Sequence, residues 1–215
     1  MKSPRFAPLS GIAFVVLLVV GFIPVGGDTP SIDDSASKIT NFYADNQGKE
    51  IAAVILVALA ALFLAVFAVA LRDYLRAGNT GRDFWPTVAL VGAVVAVAGL
   101  FVAGGTHIAL IDGGDKKIDP SAMVALNALD TDNFLAFSVP LGIMLFGVAG
   151  AVLRDGAALP KWLAWVGIVL GIVYFSPVGF ASFALTGIWI IIASILMYQR
   201  SAPAAPAAPA ATPTA

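Results

Sequence analysis

Apolar residues in this chain do not alternate with polar ones. They run on for 18 residues or more, separated by polar segments whose charge changes sign from one to the next. Runs of that length suit the hydrocarbon thickness of a bilayer, in which only helices or closed barrels satisfy the backbone. The pattern predicts spans over 8–26, 50–71, 86–110, 133–153, 162–176 and 180–199. The stretch 51–71 carries no charge and is closed by Arg72 and Asp73. The third span opens at Trp85-Pro86, where a proline at the first helical position costs nothing. From Trp162 to Gln199 there are 38 residues without a charge. As one helix they would be roughly 57 Å long at 1.5 Å per residue, so Ser176-Pro177-Val178-Gly179 is read as a hairpin at 177–179. The fold class expected is an all-α polytopic transmembrane bundle of about six spans.

Orientation follows from lysine and arginine. With the N-terminus (1–7) in the cytoplasm, the inner segments 72–85, 154–161 and 200–215 complete a set of eight basic against three acidic residues, a net of +5. The outer loops, 27–49 and 111–132 with their flanks, hold four basic and ten acidic residues, a net of −6. Both termini are therefore expected inside. Phe84, Trp85, Trp162, Trp165 and Tyr198 fall at the inner boundaries, where amphipathic rings collect. The first span also has the layout of a signal peptide, with Lys2 and Arg5 before it and Val25-Gly26-Gly27 after it. Its 18 apolar residues exceed the ~7–15 of a usual signal core, which favours a retained span.

Composition sharpens this picture. Of 215 residues, 60% are hydrophobic and 12% charged, with a mean hydropathy of +0.93, too few polar groups to clothe a water-soluble domain. The absence of cysteine removes disulfides, thiolate metal sites and cysteine nucleophiles, and a single histidine removes a bis-histidine haem within one chain. Nothing in the sequence points to nucleic acid.

The second and fourth spans end alike, in Val66–Asp73 and Val148–Asp155, 82 residues apart. A parallel repeat and chance similarity of two boundary segments both fit. Each long outer loop holds a candidate helix. In the first, Ser31 and Asp34 stand at capping-box spacing before Ile32, Ala36, Ile39, Phe42 and Tyr43. In the second, Asp119 can cap and Pro120 stands first, ahead of Met123, Val124, Leu126 and Leu129. Such helices lie on the membrane surface or lid the bundle. Past Ser201 the prolines recur every third residue, giving an expected disordered tail.

Little in the sequence points to chemistry. Every charge falls in a polar segment or the first turn of a span, which speaks against proton relays, ion-coupled transport and voltage sensing. No catalytic, cofactor-binding or metal-ligating residue is expected. His107, at the outer interface of the third span, is the one titratable candidate: a pH sensor, a metal ligand with nearby aspartates, a base, or simply an interfacial histidine. The run Asp112-Gly113-Gly114-Asp115-Lys116-Lys117 does not match a calcium loop and reads as a solvated acidic face. Gly167 and Gly171 form a GxxxG motif, and Gly92/Ala96 and Gly99/Ala103 repeat small-residue spacing, so all are assigned to helix packing. Pro140 is expected to kink the fourth span and free a carbonyl.

Gly27-Asp28-Thr29-Pro30, the segment from Asp34 to Asn46 (DSASKITNFYADN), and Leu159-Pro160-Lys161-Trp162-Leu163-Ala164-Trp165-Val166-Gly167 resemble uncharacterised bacterial six-span integral membrane proteins of the domain-of-unknown-function type. The resemblance covers most of the chain except the tail. It implies a six-span helical layout in a bacterial inner membrane and carries over no ligand or catalytic residues. The expectation is then a non-enzymatic accessory or structural bundle in the plasma membrane. Its partners would be the lipid bilayer and, through small-residue faces, a second copy or another membrane protein. The alternative is binding or transport of an uncharged or lipophilic small molecule or lipid under the outer helices.

Overall fold

The computed structural model describes residues 4–77, 83–176 and 178–200. Lys2, Arg82, Pro177 of the expected hairpin and the alanine–proline tail lie outside them. Eight α-helices follow one another among the described residues, with no strand between them: α1 (Ser10–Val20), α2 (Ala36–Asp45), α3 (Gln47–Ala77), α4 (Phe84–Lys116), α5 (Pro120–Asp132), α6 (Phe134–Leu153), α7 (Lys161–Val173) and α8 (Gly179–Arg200). Among the described residues five segments are long and apolar enough to cross a membrane: Ala7–Gly26, Gln47–Ala77, Phe84–Lys116, Pro120–Leu153 and Gly179–Arg200.

The fifth expected span, 162–176, is short. α7 holds 13 residues, roughly 20 Å at 1.5 Å per residue, against about 30 Å of hydrocarbon. It stops because the chain tightens after Val173. The N–H groups of Phe175 and Ser176 donate to the carbonyls three residues back, and the Ser176 hydroxyl donates to the Val173 carbonyl. α7 is held to α8 by polar bonds as well as packing. Trp189 Nε1 donates to the Leu163 carbonyl at 2.9 Å, and Ser182 Oγ donates to the Leu170 carbonyl at 2.7 Å.

The long helices carry apolar residues on their outward as well as their inward sides, which suits lipid as the surrounding solvent. Leu62, Val69, Val94, Val102, Val169 and Ile188 point outward and stay exposed, while Leu64, Phe67, Ala93, Leu145 and Ile190 fill the interior. In water such a continuous apolar coat would drive aggregation; in lipid it is the ordinary surface. The charges sort to the two ends. Arg5 lies over the Tyr198 ring, Arg72 and Arg76 pair with Asp83, and Arg200 donates to the Ala158 carbonyl at one end. Asp34, Asp45, Asp112, Asp115 and Asp130 belong to the other.

α4 and α6 form the closest seam. Cβ atoms on Gly92, Gly99 and Gly147 would collide with the backbone of Met144, Ala136 and Ala89 respectively. Pro140 lies buried inside α6 and lacks the N–H that would pair with the Ala136 carbonyl. Gly99 backs directly onto that freed oxygen, which only a residue without a side chain permits. Gly167 and Gly171 also face inward. The first stands over Leu145 and Trp189, and the second against the Phe146 ring.

At the acidic end α3 and α4 extend past the bilayer-length core. α4, 33 residues and roughly 50 Å long, continues to Lys116 rather than ending near Leu110. Its extension forms a second small core with the two loop helices, from Ile39, Tyr43, Leu110, Ile111 and Met123. The capping of α2 differs from the expected one. Ser31 N–H does donate to Asp34 Oδ2, but it closes only a turn, and the helix begins at Ala36 with Ser35 Oγ accepting from Lys38 N–H. α5 starts as expected, with Pro120 first and Asp119 accepting from the Ser121 N–H. Buried Asn127 ties α5 to the first loop through the Pro30 and Ser31 carbonyls. The order span, short helix, span thus occurs twice, as α1–α2–α3 and α4–α5–α6.

Candidate binding site at the acidic end of the bundle

Three titratable residues from three helices meet beneath the α2–α5 cap. His107 of α4 donates from Nε2 to Glu50 Oε2 of α3 at 3.0 Å, and its Nδ1 lies 2.9 Å from Asp130 Oδ2 of α5. Ionised carboxylates only accept, so both contacts are made together when the ring carries a proton on each nitrogen. The trio then holds two negative charges and one positive. Glu50 is 1% exposed, His107 16% and Asp130 19%, so the cluster grades from the protein surface inward. The Tyr43 ring stands edge-on to the imidazole, 5.5 Å between centroids. Burial, with Asp130 and Glu50 nearby, pushes the Tyr43 hydroxyl well above its usual value.

Each member is placed by its helix period. Glu50 begins the buried stripe of α3 that continues through Ala53, Val57 and Ala60. Asp130 follows Met123 and Asn127 at steps of four and three along the inward side of α5. That stripe, readable in sequence, marks Glu50 and Asp130 as inward-facing. They were missed because both stand in segments that read as solvated loop or boundary. Glu50 does keep to the first turn of its span, yet its side chain there is buried rather than solvated.

Below the cluster lies a cleft of about 460 Å³. Leu18, Val57, Leu100, Phe134, Phe137 and Phe183 give it apolar walls, and Glu50, His107 and Asp130 stand at its acidic end. The rings of Phe134, Phe137 and Phe183 meet at 5.4–5.5 Å, so this wall is a packed aromatic surface. One side is shaped by an irregular turn. Pro24 cannot donate to Val20, and Gly21–Gly26 widens to a π-helical turn, closed by Gly27 N–H donating to the Phe22 carbonyl five residues back. Gly27 ends it at φ +68°, a conformation open to glycine. Phe22, Ile23 and Phe180 line the cleft yet are largely exposed, so it opens sideways, where lipid chains would lie.

Within the cluster one atom stands out. Glu50 Oε1 is buried and has no hydrogen-bond partner. Both imidazole nitrogens are already engaged by the other carboxylate oxygens, so the histidine has no N–H left for it. The carboxylates contact opposite edges of the ring and do not converge on a common point. Among the described residues no group of His, Asp or Glu is arranged to hold a metal ion. Of the sequence candidates, only His107 lies in this site; Gly167, Gly171 and Pro140 belong to the helix seams. The geometry can hold an elongated apolar molecule and satisfy a donor at its head. No protein-family model matches the chain, and no curated protein or solved structure matches it either.

Proposed function

We propose that the chain is a multi-pass protein of a bacterial plasma membrane, with both termini cytoplasmic, that binds a lipophilic small molecule or lipid without transforming it. The single observation behind this reading is the apolar cleft, open toward lipid and closed at one end by a buried carboxylate. Its volume falls within the roughly 300–1,000 Å³ of ordinary ligand sites. The basic and acidic ends of the bundle support the orientation, because basic residues favour the cytoplasmic side. α7 serves as a partial sixth span against α6 and α8, in keeping with the resemblance to bacterial six-span proteins. α2 and α5 act as the lid. Accessory association through small-residue faces is the weaker reading, since Gly92, Gly99, Gly147, Gly167 and Gly171 all face helices of the same chain.

The test is equilibrium binding of radiolabelled dodecanol to the protein in phosphatidylcholine nanodiscs. Saturable binding above that of empty nanodiscs is expected. It should be lost in Gly104→Ile, which fills the cleft from a position where a Cβ meets only Val54 at 3.5 Å. Binding equal to empty nanodiscs, or unaffected by both Gly104→Ile and Ala103→Phe, overturns the reading.

A further inference from the structure

Resting on the binding reading above, we infer that the cleft selects an amphiphile whose head is a primary ammonium, which donates to Glu50 Oε1 while its apolar body lies along Phe134, Phe137 and Phe183. A buried carboxylate oxygen without a donor is costly, by an amount that a charge-assisted hydrogen bond from a ligand would recover. Glu50 Oε1 is such an atom, and Glu50 is one of the residues lining a cleft large enough for a ligand. Its neighbours do not supply the donor: the imidazole is engaged on both sides, Asp130 brings another negative charge, and the buried Tyr43 hydroxyl, itself without a partner, makes no hydrogen bond to it. With both carboxylates ionised the cluster is one charge negative, so the complementary head carries one positive charge.

Lys49 is an exposed side chain whose ammonium reaches the rim at Gly27. It stands on the solvent side and does not contact Glu50 Oε1. It would favour an anionic group at the mouth, which makes the sign of the preferred head a direct discriminator. A free alkylamine and an aminophospholipid share the required chemistry, the second adding a phosphate for Lys49.

The experiment compares dodecylamine, dodecanol and dodecanoate for binding to the full chain in phosphatidylcholine nanodiscs, by competition against radiolabelled dodecanol. Dodecylamine is expected to bind at least tenfold more tightly than dodecanol. Glu50→Gln should remove that advantage, bringing dodecylamine to within about twofold of dodecanol measured on the same variant, and Lys49→Gln should leave it intact. If Glu50→Gln does not fold, Glu50→Asp, which draws the carboxylate back from the cleft, should lower the advantage several-fold. Repeating the competition in nanodiscs containing phosphatidylethanolamine separates the two sources: a raised apparent Kd for dodecylamine identifies the lipid head as an occupant, and an unchanged one identifies the free amine. Equal binding of all three probes, or a preference for dodecanoate, overturns the ammonium inference while the cleft reading stands. Absence of saturable binding by any probe overturns the cleft reading itself.

Discussion

Nε2 of His107 lies 3.0 Å from Oε2 of Glu50, a residue 57 positions earlier in the chain. The contact locks the last third of α4 to the start of α3 at a depth where Glu50 is sealed from solvent. Removing the ring therefore strands a buried carboxylate. His107→Ala should lower stability by roughly 3–5 kcal/mol, the range for a broken buried pair. The double variant with Glu50→Gln should lose less than the two single losses added together. Denaturant unfolding in detergent measures both; strictly additive losses would show that the two residues do not interact.

The α4–α6 seam makes a prediction about single methyl groups. Gly99→Ala and Gly147→Ala each drive a Cβ into facing backbone and should cost about 1–3 kcal/mol, as overpacked cores do. Gly167→Ala meets its nearest neighbours at 3.6 Å, ordinary contact, and should shift stability by less than about 1 kcal/mol. Thermal unfolding of the three variants in one detergent checks the ranking.

Acid should loosen the cap before the bundle. Asp34 is held below the ordinary 3.8 by its bond from Lys38 and the Ser31 N–H, and Asp119 by its bonds from Ser121. Both are lowered in the folded state, so what they contribute is present above pH ~4 and lost as pH falls through the folded values. As pH falls below about 4, hydrogen exchange should rise in α2 and in the first turn of α5. Exchange rising first in α6 would contradict this.

The orientation is tested by a reporter enzyme inserted after Lys117, in the turn between α4 and α5. A reporter that requires export should be active there, and one that requires the cytoplasm inactive. The reverse result inverts the topology.

Much of the fold was legible because hydrocarbon imposes one rule on every span. Runs such as 51–71 admit little besides a helix, and Pro120 after Asp119 marks a helix start by itself. α7 was overestimated because uninterrupted apolarity from Trp162 onward does not show where the backbone tightens, and Ser176 decides that locally. The site was harder to read. Glu50 and Asp130 look like ordinary boundary acids, and only the three-dimensional meeting of α3, α4 and α5 turns them inward onto His107. The periodic stripes Glu50–Ala53–Val57 and Met123–Asn127–Asp130 held the signal, outweighed by the habit of assigning charge near a span end to water.

The central claim, that an amphiphile lies in the cleft with its head at Glu50, is tested most directly by a crystal structure with a dodecylamine brominated at its tail. The expected result is an anomalous bromine peak beside Phe137 and Phe183, with the amine nitrogen within hydrogen-bond distance of Glu50 Oε1. Bromine found only on the outward faces of Val94, Val102 or Ile188, with the cleft empty, would contradict it.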